Sequence, residues 1–501
     1  MGPCGPLFSE DSVLDFKTGL FIDGEFVDAA EGRTLDVLNP HDNSLLCKVA
    51  EGDEKDIDRA VEAAQRAFPA WAAMAAGDRG RLLLKLADLI EERADYLCKL
   101  ESLDTGHPIR DTQRLGIVRT AMTFRYFGGM ADKLEGSVVP VDSGFLNYVQ
   151  REPIGVVGQV VPWNFPLMFT SWKMAPALAA GNCVVIKPAE LTPLSTLEIA
   201  SMMHEVGFPA GVVNVVVGFG HTAGQRLAEH TGVGKIAFTG STQTGRKIVE
   251  ASTSNLKKIQ LELGGKGPNI VFGDANIPAA VGGSAFGIFH NQGQACIAGS
   301  RLMLHDSIAD QFLDKFIQLA ESIKLGDPMD PATEMGPLTS QQHLDRVLHF
   351  IDLHKKEGGK VLSGGEQPGG ALANGCYVKP TIVEADASHT VFREEVFGPF
   401  VSVTRFKDDD EALAIANDTR YGLGSGLWTQ DITRAHQFAN KIKAGMVWIN
   451  CYKRVHPGSP FGGVGESGYG REMGFEVMRE YTQPKSVWVN VDAKIPPFYP
   501  R

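Results

Sequence analysis

A disulfide scaffold is excluded first, because the chain is poor in cysteine. Its 501 residues include seven cysteines, an odd number that forms no CxxC pair, at positions 4, 47, 98, 183, 296, 376 and 451. This spacing favours a reducing compartment. The sequence also has no apolar run of the roughly 18 residues that span a membrane, no apolar leader after Met1 and no hydroxyl at position 6 for myristoylation. We expect a cytoplasmic protein without a membrane partner, unless an organelle leader has been removed.

Positive charge is also in short supply. Lysine and arginine number 48 against 60 aspartates and glutamates, which gives a formal net charge of −12. This acidic balance argues against nucleic acid as the main partner and favours a small molecule. Glycine, in contrast, is abundant, with 56 residues and no collagen period. The excess indicates backbone that turns tightly or approaches a ligand closely.

The hydrophobic pattern predicts an α/β fold. Apolar residues at helical spacing predict amphipathic helices over 55–70 and 80–100. From residue 153 onward, short β-branched runs alternate with helical segments, a pattern typical of a Rossmann-like, doubly wound parallel sheet. The predicted strands are 156–161, 183–186, 212–217, 235–238 and 269–272. A further series from about 300 to 450 predicts a second α/β domain.

Two segments lie outside this alternation. Residues 137–151 predict a hairpin around Asp142-Ser143-Gly144, and residues 485–491 predict one more strand. Isolated strands have exposed edges, which proteins usually cover. We interpret the two segments as a small β oligomerisation flap. The alternative is an edge that is packed within the same chain.

Two strand–turn–helix motifs indicate a dinucleotide site. Residues 218–223 form a G-x-G-x-x-A turn that includes Gly220, and Gly240, Ser241 and Gly245 lie in a second turn with hydroxyls at the start of a helix. Glycines in such turns admit a pyrophosphate to the helix N-terminus. The alternative for Ser241 is a simple helix cap.

A third motif lies at the end of another predicted strand. There Lys187 and Glu190 place a cation and a carboxylate three residues apart. A carboxylate at a strand end suits two ribose hydroxyls and repels a ribose phosphate, so NAD is favoured over NADP. The three motifs lie within about 60 residues, and dinucleotides bind at the carboxyl ends of parallel strands.

Three further residues are candidates for catalysis. Cys296 lies in a glycine-flanked turn, Glu262 ends a strand between two leucines, and Asn164 lies between two prolines. A thiol is a nucleophile, a carboxyl in apolar surroundings has a raised pKa and can accept a proton, and an amide can donate to an oxyanion. The alternatives are a buried inert thiol, a glutamate paired with Lys266, and a turn-forming asparagine.

Together these motifs resemble the aldehyde dehydrogenase superfamily, most closely its NAD-dependent, non-acylating members that form dimers or tetramers. The resemblance extends in order from about residue 18 to 491. Its segments are PWNFP at 162–166, KPAE at 187–190, FTGS at 238–241, LELGG at 261–265, GQAC at 293–296, EEVFGP at 394–399, and PFGG with GRE at 460–472.

The resemblance implies a role for each candidate. Cys296 would attack the aldehyde, Asn164 and the Cys296 backbone N–H would hold the oxyanion, and Glu262 would activate water against the thioester. Lys173 and Glu472 resemble positions that relay protons from Glu262 to solvent. Because relatives that acylate coenzyme A tend to lack a base at this position, Glu262 predicts a free carboxylic acid product.

The resemblance also implies a cofactor-binding set. Gly240 and Ser241 would meet the pyrophosphate, and Lys187 and Glu190 the adenine ribose. Residues 218–223 would form a wall near the adenine. The full predicted set is Trp163, Lys187, Glu190, Gly220, Gly240, Ser241, Gly245, Gly264, Glu395 and Phe397, and no metal is expected.

The substrate prediction rests on the segments that line the tunnel in the family. The predicted lining is mostly apolar and aromatic and would fit a small or aromatic aldehyde. Its residues are Phe165, Met168, Phe169, Trp172, Ala295, Ile297, Cys451 and Tyr452. Arg119 resembles a tunnel-mouth position of relatives that handle carboxylated semialdehydes. We therefore hypothesise an anionic tail bound by Arg119, with Lys453 or Arg454 as a helper. The alternative is a solvated charged loop at 453–456.

Two other functions were weighed against this one. A cysteine hydrolase would use Cys296 with His290 as its base, but it leaves the cofactor motifs unexplained. A non-enzymatic relative is expected to have lost Cys296, Glu262 or Asn164, and all three are present. The predicted domains are 1–133 with 153–264 for NAD, 265–470 for catalysis, and 134–152 with 480–501 for the flap of a homotetramer or dimer.

Overall fold

The computed structural model describes residues 14–492. Three sequence predictions lie outside the described residues. They concern the absence of a leader, Cys4, and the end of the predicted flap at 493–501. Among residues 14–492, no helix is both long enough and apolar enough to cross a membrane.

The helices form the outer layers of the molecule. They are α1 Glu54–Ala73, α2 Ala76–Glu92, α3 Ala94–Thr105, α4 Ile109–Asp111, α5 Val118–Met130, α6 Pro166–Ala179, α7 Leu194–Glu205, α8 Gln225–Glu229, α9 Thr242–Ala251, α10 Ile277–Phe289, α11 Ala309–Ser322, α12 Gln341–Lys356, α13 Thr390–Arg393, α14 Asp409–Asn417, α15 Ile432–Lys441 and α16 Glu476–Glu480.

The strands form four sheets. They are β1 Leu20–Ile22, β2 Glu25–Val27, β3 Thr34–Leu38, β4 Leu45–Ala50, β5 Ser137–Val139, β6 Phe145–Pro153, β7 Val156–Val160, β8 Cys183–Lys187, β9 Val213–Val215, β10 Lys235–Thr239, β11 Lys258–Glu262, β12 Pro268–Val271, β13 Arg301–His305, β14 Lys360–Ser363, β15 Thr381–Glu384, β16 Phe400–Phe406, β17 Gly424–Trp428, β18 Met446–Ile449, β19 Gly468–Tyr469 and β20 Thr482–Asn490.

The first sheet has eight strands in the order β19-β11-β10-β7-β8-β9-β1-β2. Its five central strands are parallel, and β7, β8 and β10 are buried along their whole length. Continuous apolar runs of this kind require helices on both faces of a sheet. The predicted doubly wound sheet is therefore confirmed, with its carboxyl edge formed by β11, β10, β7 and β8.

The second sheet has seven strands in the order β14-β15-β16-β13-β12-β17-β18 and is parallel except at β14. It confirms the second α/β unit. The predicted domain boundaries stay a prediction. The prediction assigned β19 to the catalytic domain, whereas in the structure β19 pairs with β11 of the first sheet.

The third sheet has the order β20-β6-β5. The predicted hairpin is present as β5 and β6, and β20 pairs with β6 along nine residues. Apolar side chains of its strands remain exposed, since Val138 is 71 % and Trp488 61 % exposed, and Val491, directly after β20, is 62 % exposed.

Two predicted elements differ from the structure. The helix predicted over 80–100 is two helices, α2 and α3, separated at Arg93. The strand predicted over 212–217 is only Val213–Val215, and the G-x-G-x-x-A turn continues into a wide turn at Gly220–Gly224 before α8. Another wide, π-helical turn, Thr112–Ile117, joins α4 to α5.

Candidate active site

A cleft of about 570 Å³ lies at the carboxyl edge of the first sheet. It brings together side chains that follow β7, β10 and β11 with side chains from the second sheet's loops. The lining residues are Pro162, Trp163, Asn164, Phe169, Leu191, Thr239, Gly240, Ser241, Gln243, Glu262, Leu263, Gly264, Cys296, Ser340, Gln342, His343, Arg346, Glu395 and Phe397. The cleft contains all three candidate catalytic residues.

The loop that carries the candidate nucleophile, residues 290–296 and called here the nucleophile loop, combines left-handed backbone with close contacts at glycine. Asn291, Gln292 and Gly293 have positive φ values of 57°, 54° and 69°. A Cβ on Gly293 would lie 1.8 Å from the carbonyl oxygen of Gly398, and one on Gly265 would lie 2.4 Å from that of Cys296. The loop therefore packs directly on backbone from both neighbouring segments.

The Cys296 side chain is half-buried and belongs to two cavities, the cleft and a second one of about 30 Å³. Burial raises the pKa of its thiol, and the neighbouring carboxyls of Glu395 and Glu262 raise it further. Because the Cys296 side chain lines two cavities, it does not fit the alternative interpretation of an inert, buried thiol.

Glu262 is the last residue of β11 and is 2 % exposed. Neither carboxyl oxygen has a hydrogen-bond partner in the described chain, and no ion pair joins it to Lys266. A Cβ on Gly462 would lie 2.6 Å from Oε1. Burial and the nearby Glu472 raise the pKa of Glu262 well above its usual range, so the carboxyl is poised for proton transfer.

Lys173 and Glu472 form a buried ion pair behind this carboxyl. Lys173 Nζ donates to Glu472 Oε1 over 2.5 Å, and both side chains are fully buried. The second oxygen of Glu472 has no hydrogen-bond partner in the described chain. The two residues assigned to a proton relay thus contact each other, and Glu472 lies within electrostatic reach of Glu262.

Asn164 is 2 % exposed and follows β7 between Pro162 and Pro166. Its Nδ2 donates to the Gln294 backbone carbonyl oxygen over 2.8 Å, and the Asn164 backbone carbonyl oxygen accepts from Asn291 Nδ2 over 3.0 Å. The first bond attaches the side-chain amide to the nucleophile loop, and the second attaches the backbone. Asn164 is therefore more than a turn former.

The predicted phosphate turn lies at one end of the cleft. Ser241 is the N-cap of α9, and its Oγ accepts from Thr244 N–H over 3.1 Å. It therefore caps the helix and lines the cleft at once. A Cβ on Gly245 would lie 2.7 Å from Leu263, so this glycine lets α9 approach the sheet closely.

The two residues predicted to meet the adenine ribose are neighbours in space. Lys187 Nζ lies 3.5 Å from Glu190 Oε2 and donates to the carbonyl oxygens of Pro188 and Gly218. The last of these bonds connects β8 to the G-x-G-x-x-A turn, while Gly220 in that turn is exposed. Neither Lys187 nor Gly220 lines the 570 Å³ cleft, which extends to Leu191.

The other end of the cleft is aromatic. The ring of Trp163 lies 4.8 Å from that of His343 and 5.4 Å from that of Phe397. Glu395 accepts from Gly265 N–H over 2.8 Å, and burial raises its pKa to about 7. A Cβ on Gly264 would lie 2.4 Å from this carboxylate.

Sequence reasoning missed His343 and Arg346, which also line the cleft. Both lie on α12, whose sequence carries no glycine-rich or strand-end signal. His343 Nε2 lies 2.6 Å from the Phe397 carbonyl oxygen, and Arg346 donates to the Glu395 carbonyl oxygen over 3.0 Å. They hold the segment that carries Glu395 and Phe397.

The second cavity contains most of the predicted substrate lining. Of the predicted residues, Arg119, Phe165, Met168, Phe169, Trp172, Ala295, Ile297 and Lys453 line it, together with Phe286, His290, Val455 and Phe461, which the lining prediction omitted. Phe286 and Val455 carry no motif, so only the folded structure reveals them.

Two predicted lining residues, Tyr452 and Cys451, and the predicted helper Arg454 lie elsewhere. Tyr452 is 4 % exposed and packs 5.2 Å from the ring of Trp448, under glycines such as Gly426. Cys451 is half-buried and does not line the cavity. Arg454 is exposed and lines a neighbouring depression of about 350 Å³. The chain direction reverses here, since Asn450 and Lys453 both have positive φ, and such a turn cannot be read from spacing.

Comparison with known proteins decides the family. The model of the aldehyde dehydrogenase family matches residues 26–487. The chain belongs to the aldehyde dehydrogenase family. This family member is 47% identical over 473 residues to an aldehyde dehydrogenase of Aspergillus niger, covering 94% of both chains.

Solved structures of relatives have the same fold. The crystal structure of PnpE from Pseudomonas sp. WBC-3 is 71% identical, with a TM-score of 0.96 over 97% of this chain and 100% of that one. PnpE has also been crystallised in complex with nicotinamide adenine dinucleotide. An NAD+ complex of aldehyde dehydrogenase from Bacillus cereus is 46% identical, with a TM-score of 0.94 over 96% of this chain and 98% of that one.

The raised pKa of Cys296 predicts slow alkylation of the ligand-free enzyme. Because the thiolate is the reactive form, the rate of Cys296 carbamidomethylation by iodoacetamide should be low at pH 7 and still rising above pH 9. Glu395→Gln removes a charge that raises this pKa but keeps an acceptor for Gly265 N–H, so it should increase the rate at pH 9. Mass spectrometry of the Cys296 peptide measures both rates. A rate that levels off below pH 8, or one that Glu395→Gln leaves unchanged, contradicts the assignment.

Proposed function

We propose that this family member oxidises an aldehyde to the free carboxylic acid, with NAD as the hydride acceptor. One observation carries the proposal: Cys296, Glu262 and Asn164 meet in one cleft whose far end is the N-terminus of α9. A nucleophile, a base and an oxyanion donor in contact with a nucleotide-type site are the parts that this reaction needs.

The residues at the cleft fit a dinucleotide. The backbone N–H groups at the start of a helix attract anions, and Gly240, Ser241 and Gln243 bring that end of α9 to the cleft. The carboxylate of Glu190 next to Lys187 favours ribose hydroxyls over a ribose phosphate, and thus NAD over NADP. The NAD complexes of the two relatives support the same cofactor.

In the first half of the reaction, the Cys296 thiolate bonds to the aldehyde carbon as the carbonyl π pair moves to oxygen, which gives the oxyanion of a thiohemiacetal. The Asn164 amide and the Cys296 backbone N–H donate to its oxyanion, and loss of one such donor typically costs about 10²–10³ in rate. NAD, when bound, supplies the acceptor for the hydride that leaves this carbon. Cys296 then carries a thioester.

In the second half, Glu262 takes a proton from water as the water oxygen bonds to the thioester carbon. The carbon–sulfur bond breaks, Cys296 leaves as a thiolate, and the free acid forms. The buried and unpaired state of the Glu262 carboxyl supports its role as the base.

Replacing Glu262 by Gln should separate the two halves. The first turnover should proceed and release a burst of NADH, while steady-state turnover should fall by about 10²–10⁴ because thioester hydrolysis loses its base. Stopped-flow absorbance at 340 nm measures both phases. Steady-state turnover equal to that of the wild type would remove Glu262 from the proposal.

We further propose a substrate that carries a carboxylate, such as a semialdehyde with an anionic tail. Lys453 is 5 % exposed, its Nζ lies 3.4 Å from the His290 carbonyl oxygen, and burial lowers its pKa to about 7. Arg119 lines the same cavity, and neither cation forms an ion pair with a carboxylate of the described chain. An unpaired buried cation is costly unless an anion joins it, whereas the solvated-loop alternative fits the exposed Arg454 better.

The substrate proposal predicts a loss of discrimination rather than a general loss of activity. Arg119→Ala should lower the ratio of kcat/KM for a carboxylated aldehyde to that for its neutral analogue by about 10- to 100-fold, the value of a charge-assisted hydrogen bond. Lys453→Met and Arg454→Ala, measured in parallel, identify the helper. Arg114→Ala, an exposed arginine of the preceding turn, is the matched control. An unchanged ratio in Arg119→Ala contradicts the proposal.

The structure offers less support for a cysteine hydrolase. No histidine of residues 14–492 is hydrogen-bonded to Cys296 Sγ in this structure. Burial lowers the pKa of His290 well below its usual value, with smaller contributions from Lys453, His107 and Arg119, so its ring is a weak base. His290 instead lies between the rings of Phe165 and Phe286, at 6.4 and 4.8 Å.

The third sheet supports an oligomer, and we propose a homotetramer rather than a dimer. Apolar residues are exposed on both of its faces, Val138 on one and Trp488, beside Phe145, on the other, and partner copies would cover them. We also propose a cytoplasmic location, because the six cysteines of the described chain are free thiols.

Charge on the flap should dissociate the oligomer. Light scattering should give a wild-type mass four times the 54.1 kDa of one chain, and Trp488→Asp with Val138→Asp should reduce it. Leu256→Asp is the control, since Leu256 is 89 % exposed but lies outside the flap. A wild-type mass of one chain, or one unaffected by the flap substitutions, contradicts the proposal.

A further inference from the structure

A layer of polar side chains lies on one face of β7, β10 and β11. It extends from the active site, at the carboxyl ends of these strands, to their other ends. Gln159 of β7 and Gln260 of β11 both pair with Ala237 of β10, and Glu262 pairs with Thr239. Paired residues of parallel strands face the same side, as do alternate residues along one strand. Glu262, Gln260, Gln159 and Lys235 therefore share this face, which spans about 13 Å between the ends of β10 at about 3.3 Å per residue.

The layer is roofed by α6 and by the segment that returns from the second sheet. Gln159 Nε2 donates to the Lys173 carbonyl oxygen over 2.7 Å, and Gln260 Nε2 donates to that of Arg471 over 2.9 Å. At the far end Lys258 Nζ donates to the Thr482 carbonyl oxygen over 2.9 Å. The side chains are thus enclosed between strands and roof.

Many polar atoms of this layer are buried without a hydrogen bond to any described residue. They are Oε1 and Oε2 of Glu262, Oε2 of Glu472, Oε1 of Gln260, Oε1 of Gln159, the Tyr481 hydroxyl and Nζ of Lys235. Buried polar atoms in native proteins are satisfied by protein or by ordered water. So many unsatisfied donors and acceptors in one continuous layer favour a hydrated path over an apolar core.

Lys235 is the outer residue of the layer. Its side chain is fully buried, and its Nζ lies 4.9 Å from the ring centre of Tyr481 and 3.5 Å from Glu480 Oε2. The Glu480 side chain is 41 % exposed. Burial lowers the pKa of Lys235 to about 8, while Glu480 and Glu472 raise it and Lys173 lowers it. Lys235 therefore connects the inner ion pair to a carboxylate in contact with solvent.

Oxidation of an aldehyde by NAD and water gives a carboxylate, NADH and two protons. One of these protons is the one that Glu262 takes from water. It must leave this carboxyl, which is 2 % exposed and lines the cleft that substrate and cofactor fill, before the next turnover. We propose that this proton leaves Glu262 through Glu472 and Lys173 and exits across the sheet face by way of Lys235 to Glu480. The proposal rests on Glu262 being the base.

In this sequence the Glu262 O–H bond breaks as the proton passes to Glu472, which Lys173 holds. The Lys235 ammonium gives a proton to the Glu480 carboxylate and so to solvent, and the amine that remains takes up the proton from Glu472. No electron changes hands. Lys235 contacts neither substrate nor cofactor and is a positioning residue for proton transfer.

Two substitutions of Lys235 separate proton exchange from charge. Lys235→Met removes the amine, and Lys235→Arg keeps a cation that does not deprotonate. In both, the rate of the first turnover of NADH should equal that of the wild type, while kcat should fall by about tenfold or more, so that a burst emerges. A kcat within twofold of the wild type in both variants overturns the proposal, as does an equal fall in the first turnover and kcat, which indicates a structural role.

Lys257→Met is the matched control. Lys257 is also buried, and its Nζ donates to the Ala228 carbonyl oxygen and to Ser254 Oγ, away from the layer. It should have wild-type kcat and no new burst.

Glu480→Gln tests the exit even if the Lys235 variants do not fold. Its kcat should fall at low buffer concentration and recover as imidazole is raised at constant ionic strength, since a small buffer can replace a surface carboxylate. A kcat independent of buffer overturns the exit. Wild-type turnover in Glu262→Gln would show that the base assignment is wrong. A burst in Glu262→Gln together with wild-type behaviour of the Lys235 and Glu480 variants would show that only the proposed exit is wrong.

Discussion

The site depends on a contact between two stretches of backbone. Gly265 follows the last residue of β11, and a Cβ there would overlap the carbonyl oxygen of Cys296. The neighbouring Gly264 leaves room for Glu395, which accepts from Gly265 N–H. The segment after Glu262 thus touches both the nucleophile loop and the loop that carries Glu395, so one short turn determines the distances among Glu262, Cys296 and Glu395. A methyl group on Gly265 would push Cys296 away from this turn, and one on Gly264 would displace the Glu395 carboxylate.

Burial of Cys296 and Glu262 raises the pKa of both groups, and this shift has consequences for the reaction. In the resting enzyme it favours the neutral forms of both the Cys296 thiol and the Glu262 carboxyl. A protonated thiol resists oxidation, and a protonated carboxyl cannot act as a base until its proton leaves. The same desolvation that makes Glu262 a strong proton acceptor therefore makes proton removal a step in its own right, and the polar layer lies where that step would take place.

The parts of the site with local signals could be predicted from the sequence. Strand-end motifs located Glu262 and the turn at Ser241, because the carboxyl ends of parallel strands meet at one edge whatever the loops do. A glycine-flanked turn and a pair of prolines marked Cys296 and Asn164. His343 was missed, since a helix that packs over the cleft carries no distinctive pattern. Tyr452 was misplaced because the backbone reverses at residues with positive φ, which spacing does not reveal. The polar layer was invisible too, as it depends on the register of three strands.

The π-helical turn at Thr112–Ile117 has a consequence for how specificity can evolve. An α-helix advances about 100° per residue, and a wide turn absorbs one extra residue that then rotates everything after it. Arg119 lies on the first turn of α5, directly after this bulge, so its direction toward the cavity depends on chain length as much as on side-chain identity. Loss or gain of a single codon here would turn the guanidinium away from the throat, so a small deletion could change substrate preference in one step without altering any catalytic residue.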